Sequence, residues 1–367
     1  MPYQSIDAIQ NMLSETVFSH TASSKKAAGR ALGTIVEIIS FYLIKAWGHE
    51  HKTAIEKPLP EYANREIMHN VEFTFHRSKY IGSIDVPSSG NISSTKIFNL
   101  ANLQTPFRKV TSRNLIEKGI LKNACTVAES DFSFCNAYFS TDKNSILIYE
   151  LSKAPYAMFE CKRVGIEEGM TKGPQTIEKA KQGAYVARNV SSIQRIRLSD
   201  GRVGGAIELD GNVDFFDDYT SLVETAIFEH KTKMLKNFIL TVGIVSNHGN
   251  WFTSDDHNKE MKVLAQSYDW LLFLTDKGLA SFVQDIIHND AAYKIVKDAF
   301  NKNYAKVKGE KTSFTKTNMD YESDTILTRY FVENLKTIES WFNVIAPAGR
   351  NIDELNAMLT ELHKMEV

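Results

Sequence analysis

From Ser24 to Trp47 (SKKAAGRALGTIVEIISFYLIKAW) apolar residues recur every three or four positions, and this spacing predicts a strongly apolar helix. One stripe differs: Arg30, Gly33, Thr34, Glu37 and Ser40 fall three or four apart and share a face. A carboxylate at Glu37, flanked by Ile35, Val36, Ile38 and Ile39, needs either solvent or a compensating charge. The pattern then becomes alternating. His69–His76 (HNVEFTFH) places Val71, Phe73 and Phe75 on one side and Asn70, Glu72 and Thr74 on the other, which predicts a strand. Three further strands are expected over Asp131–Phe139 (DFSFCNAYF), Ile146–Leu151 (ILIYEL) and Tyr156–Arg163 (YAMFECKR). Asp142, Lys143 and Asn144 supply a turn between the first two, and Ala154-Pro155 breaks the chain before the third.

Gly173-Pro174 opens a helix running to Asn189, since proline suits a first helical turn. Asn237–Val245 and Asp269–Leu274 are nearly continuous apolar runs of the kind found in central strands, and the helix KGLASFVQDIIH follows the second. This order predicts an α/β fold, a central mixed β-sheet flanked by helices, with added helices N- and C-terminally. Residues 1–290 are expected to form one catalytic domain with N-terminal helical and β-rich elaborations. From Tyr293 to Lys316 seven lysines stand against Asp298 and Glu310 alone, so 291–322 reads as a lysine-rich linker. Residues 323–367 read as a C-terminal helical pair, its last helix capped by Asn351 with Glu354 three positions on.

Composition narrows the class. With 43% hydrophobic and 24% charged residues, the 367-residue chain is ordinary globular material. Its formal charge of -1 announces no nucleic-acid partner, so any basic surface must be local and balanced elsewhere. Cys125, Cys135 and Cys161 are odd in number and lack CxxC spacing, which argues against disulfides and structural zinc. No apolar run reaches the roughly 18 residues of a membrane span. The opening MPYQSIDAIQ lacks a secretory pattern, and a cytoplasmic location is expected. Two apparent motifs fail. Asp210-Gly-Asn212-Val-Asp214 starts like a calcium loop, but Phe215 and Ser221 stand where glycine and glutamate are needed; the ten histidines contain no HExxH.

The chemistry concentrates in MFECKR. On a strand Glu160 and Lys162 point the same way while Phe159 and Cys161 point the other. A carboxylate beside an ammonium group suits phosphodiester hydrolysis, in which a hard cation needs anionic oxygen and the attacking water needs a cationic neighbour. A second carboxylate is required from a neighbouring strand. Asp131, at the mouth of DFSF, is the leading candidate, with Asp142 and Glu150 as rivals.

Asp131-Phe-Ser-Phe followed by Phe159-Glu160-Cys161-Lys162 resembles the signature of the PD-(D/E)xK nuclease superfamily, and of its type II restriction endonucleases in particular, with Ser130 in the place of the proline. The resemblance covers Ser24 to Ile287. It implies sequence-specific hydrolysis of double-stranded DNA with Mg²⁺, leaving 5′-phosphate ends. It also implies metal ligands at Asp131, Glu160 and the Cys161 carbonyl, a water-positioning role for Lys162, and a further acid at Glu37. A homodimer on a near-palindromic site and a cognate DNA methyltransferase would follow. Lys172, Lys179, Lys181, Arg188, Arg195 and Arg197 are the candidate DNA contacts; Arg202 extends the last cluster, which alternatively flanks a turn at Asp200-Gly201. A repair or recombination nuclease with the same chemistry, and a non-catalytic DNA-binding protein, are the alternatives.

Overall fold

The computed structural model describes residues 5–61, 64–88, 90–111, 113–165, 175–248, 259–288, 291–304 and 312–365. A mixed sheet lies at the centre. Its strands are β1 (Thr53–Ile55), β2 (Phe73–Asp85), β3 (Arg108–Lys109), β4 (Cys125–Glu129), β5 (Ser133–Phe139), β6 (Ser145–Gly165), β7 (Leu240–His248), β8 (Trp270–Leu274) and β9 (Phe342–Ala346). They are ordered β9-β8-β7-β6-β5-β4-β3, with β2 joined to both β6 and β1. The principal helices are α1 (Ile6–Thr16), α2 (Ser24–Ala46), α3 (Gln175–Asn189), α4 (Tyr219–Phe228), α5 (Lys259–Ser267), α6 (Asp276–Phe282), α7 (Lys294–Tyr304), α8 (Tyr321–Glu333) and α9 (Ile352–Lys364).

β6 organises the molecule. Its first half lies between β5 and β2, both antiparallel to it, while its second half runs parallel to β7. The two strands expected around Ala154-Pro155 are thus one. Proline persists inside it because the β2 pairing shifts register on both sides of Pro155, where no ladder donor is needed. Along the second half Ala157, Phe159 and Cys161 enter a large core shared with α2, and Met158 and Val164 enter a second core under α3 and α5. Helices therefore cover both faces. Phe159 stacks on Phe75 with ring centroids 4.9 Å apart, and each such buried ring stabilises the fold by about 1.5–3 kcal/mol.

α2 is long and apolar enough by composition to cross a membrane, contrary to the expectation that no run would be, but two-thirds of its most apolar stretch is buried within the protein. Its polar stripe survives as predicted in Gly33, Thr34 and Glu37, which are only half-buried among fully buried neighbours.

Four boundaries move. His69–His76 is two elements: Asn64–Asn70 pairs with Pro58–Glu61, and β2 starts afresh at Phe73. The DFSF strand begins at Ser133, leaving Asp131 in the preceding bend. The lysine-rich segment is more than a linker. It carries α7, whose Val296, Ala299, Phe300 and Asn303 are buried at helical spacing, and the strand Asn318–Asp320, which pairs with Ile120–Lys122. Likewise the C-terminal part is not a helical pair alone, since β9 is hydrogen-bonded to β8 in the central sheet. α9 has the expected reciprocal cap between Asn351 and Glu354.

Candidate active site

β6 continues beyond the start of β2. Their pairing ends at Phe159 with Phe73, so past that point no strand pairs with the β2-side edge of β6 among the described residues. Glu72 emerges at this opening. The chain turns there: the Val71 amide donates to the Lys57 carbonyl at 3.3 Å and the Glu56 amide to the Glu72 carbonyl at 3.1 Å. Val71 falls into the core under α3 while Phe73 falls into the core under α2, and Glu72 is left between the two.

Glu160 and Lys162 project on one side of β6, as alternation requires. The Lys162 ammonium lies 2.7 Å from Glu160 Oε1 and 3.2 Å from Glu72 Oε1. Those two oxygens are therefore no more than about 6 Å apart, near the ~4–5 Å that ligands of one divalent ion span. A second ammonium group, Lys316, contacts Glu72 Oε2, lies 3.1 Å from Glu37 Oε2 and 3.4 Å from Glu56 Oε1. Carboxylates and ammonium groups alternate from Glu160 through Lys162, Glu72 and Lys316 to Glu37.

Glu160 is 3% exposed, and burial pushes its carboxyl above the ordinary range; the neighbouring Lys162 opposes that shift. Its burial has a local origin. Gly183 lets α3 approach so closely that a β-carbon there would stand 2.9 Å from Val71 Cγ1 and 3.5 Å from Glu160 Oε2. Gly243, the β7 partner of Glu160, leaves room for the Tyr268 ring, whose hydroxyl donates to the Ala180 carbonyl.

Two observations bear on whether a hard cation fits. Glu160 Oε2 is buried with no hydrogen-bond partner among the described residues, and the same holds for Nε2 of His69, near enough to act electrostatically on Glu160. Orphaned acceptors of this kind are costly unless a ligand completes them. Against this, no three acidic, histidine or cysteine side chains among the described residues converge to enclose an ion directly; the lysines stand between the carboxylates. Glu72 and Glu160 offer hard oxygens of the kind Mg²⁺ takes, two side chains that could hold such an ion together.

Asp131 is the chief correction. It is exposed and pairs with Arg108 at 2.7 Å. Because the Phe132 carbonyl accepts from the Lys153 amide, Asp131 lies beside the first half of β6, roughly 20 Å of strand from Glu160. A shared cation on Asp131 and Glu160 is excluded. The rivals fare no better: Asp142 is an exposed turn residue bonded to Ser140 and Asn144, and Glu150 accepts from Ser133 Oγ at 2.6 Å on that same distant half. Glu37 does reach the cluster, half-buried and compensated by Lys316. The Cys161 thiol faces Ser40 of α2, on the side of β6 opposite Glu160, so the side chain itself is no part of the cluster.

The basic candidates divide. Arg188 donates to the carbonyls of Gln266 and Ser267, and Arg195 donates to those of Gln266 and Tyr268 and pairs with Asp269 at 2.8 Å. These two arginines clamp the loop before β8 rather than facing a ligand. Arg202 pairs with Asp200 across the expected turn, Arg197 is exposed, and Lys181 is half-buried. Lys172 lies outside the described residues, as does the side chain of Lys179.

A cavity of about 400 Å³ lies elsewhere, lined by residues of β5, of Ile120–Lys122 and of α8. Its buried Asp324 is already satisfied by Tyr42, Lys45 and Lys143, and it contains none of the cluster's carboxylates. Comparison with protein-family models, with curated proteins and with solved structures produced no match.

Proposed function

We propose that this protein is a magnesium-dependent DNA endonuclease of the restriction-enzyme kind, built on a PD-(D/E)xK-like core in which Glu72 takes the place expected for Asp131. The observation that carries this reading is the Glu160–Lys162–Glu72 triad at the sheet opening, with Glu160 Oε2 left unpartnered. Glu72 and Glu160 would hold the ion, joined by the carbonyl of Cys161. When bound, Mg²⁺ supplies a Lewis acid for the scissile phosphate and the leaving oxygen. Lys162, one-third exposed beside both acids, would orient the attacking water.

Double-stranded DNA, 5′-phosphate products, a homodimer on a near-palindromic site, a cytoplasmic setting and a partner methyltransferase belong to the same reading. They rest on the likeness of the strand carrying Glu160 and Lys162 to the restriction enzymes. The test is incubation of the purified protein with phage DNA and Mg²⁺. Discrete fragments are expected from the wild type and from Asp131→Ala. Glu160→Ala, Lys162→Ala and Glu72→Ala should lose at least about a hundredfold in rate while specific DNA binding persists with Ca²⁺. A smear would favour a repair or general nuclease. Wild type that cuts no DNA with Mg²⁺ or Mn²⁺ would leave the triad as a structural ion network and end the proposal.

A further inference from the structure

Lys316 comes from the segment whose composition suggested a solvated linker, yet its side chain is 6% exposed and surrounded by Glu37, Glu56 and Glu72. The backbone that delivers it is fixed. Asn123 holds it twice, its side-chain amide donating to the Lys316 carbonyl and its backbone amide to that of Thr317, both at 2.9 Å. Phe314 and Met319, on either side, are fully buried and bridge one another. An ammonium group is brought into the interior only where opposite charge compensates its lost hydration. Among the described residues the cluster holds four carboxylates (Glu37, Glu56, Glu72, Glu160) and two ammonium groups (Lys162, Lys316), which with every carboxylate ionised leaves two negative charges, the amount one divalent ion offsets. Its two ends differ. The Glu37–Glu56 end is covered by Lys316, whereas at the other Lys162 meets one oxygen each of Glu72 and Glu160 and leaves Glu160 Oε2, beside Gly183, with no partner among the described residues.

We infer that Lys316 is a tethered cation filling one end of this cluster, so that the site admits a single divalent ion, at the Glu72–Glu160 end, instead of two. The inference rests on reading the cluster as a metal site. Glu37 is then the partner of Lys316 and not a metal ligand. Lys316 is a positioning residue: it holds Glu72 from the side opposite Lys162 and keeps a second ion out.

Calorimetric titration with MnCl₂, in the absence of DNA, tests this on the full chain. Wild type should take one Mn²⁺ and lose it in Glu160→Gln. Lys316→Met should take two, or one at least about tenfold more tightly, while Lys316→Arg keeps the wild-type behaviour. Lys316→Met should also melt at lower temperature without metal and recover when Mn²⁺ is added. If that variant does not fold, Glu37→Gln decides: Mn²⁺ affinity within about threefold of wild type supports the assignment, and a loss beyond about tenfold makes Glu37 a ligand and overturns it. Lys316→Met titrating like wild type overturns the role of Lys316 and leaves the nuclease proposal standing. Mn²⁺ binding by Lys316→Met but not by wild type supports the tethered cation and removes the metal-dependent nuclease. No Mn²⁺ on either defeats both.

Discussion

At Glu160 two demands meet on the proposed reading: the strand must be buried to be rigid, and its carboxylate must remain available to a cation. Lys162 satisfies one oxygen and leaves the other without a partner among the described residues, and burial outweighs Lys162 in raising the carboxyl above its ordinary range. Histidines elsewhere show the opposite solution. His76 accepts from Thr74 and donates to the Ser152 carbonyl, and burial holds it down to about 3. His49 accepts from Lys52, donates to Asn356, packs on Phe75 and is held down to about 4 by burial, with Lys52 and His363 adding to the shift. Both are neutral when folded and free to protonate when unfolded, so the unfolded chain binds more protons once the pH falls below about 6.5. Stability is therefore complete above that pH and lost on acidification from 6.5 toward 4. The slope is on the order of 1.4 kcal/mol per pH unit for each histidine. Scanning calorimetry at pH 7.5, 6 and 5 should show a falling Tm and a shallower fall for His49→Gln; an unchanged Tm would refute the assignment.

Among elements, α3 and the loop before β8 matter most because they roof the Glu160 side of the sheet. Arg195 looked from sequence like a base-reading arginine, and alternation on its strand offered nothing against that. Tertiary contact reassigns it: its side chain is 15% exposed, stacked 4.5 Å from the Tyr219 ring centroid and paired with Asp269, which is 5% exposed. Removing one member of so buried a pair strands the other charge. Arg195→Ala should lower unfolding stability by about 3 kcal/mol in urea titration and leave the salt dependence of DNA binding unchanged. A flatter salt dependence with intact stability would restore the arginine to the proposed DNA interface.

Across the whole molecule the C-terminal quarter is structural, not appended. β9 extends the central sheet beside β8, Tyr42 and Lys45 of α2 bind Asp324 of α8, and the Lys316 segment reaches the carboxylate cluster. Elements sharing one core unfold together. Tryptophan fluorescence and far-UV circular dichroism should report coincident urea transitions; two separated transitions would instead bring back the division near residues 291–322.

Local pattern was enough for the α/β class, the apolar helix with its Glu37 stripe, the same-face pair Glu160 and Lys162, and the Asn351 cap, because each follows from spacing within one element. Which acid stands beside Glu160 could not be read that way. Glu72 was visible as one polar position in HNVEFTFH, yet its nearness depends on the β2–β6 register and on the turn at Val71. Lys316 was one lysine among seven, distinguished only by where Phe314 and Met319 are buried. Lys162 meets Glu72 across 90 residues of chain and Lys316 meets it across 244, contacts decided by packing of the whole chain that no local period encodes.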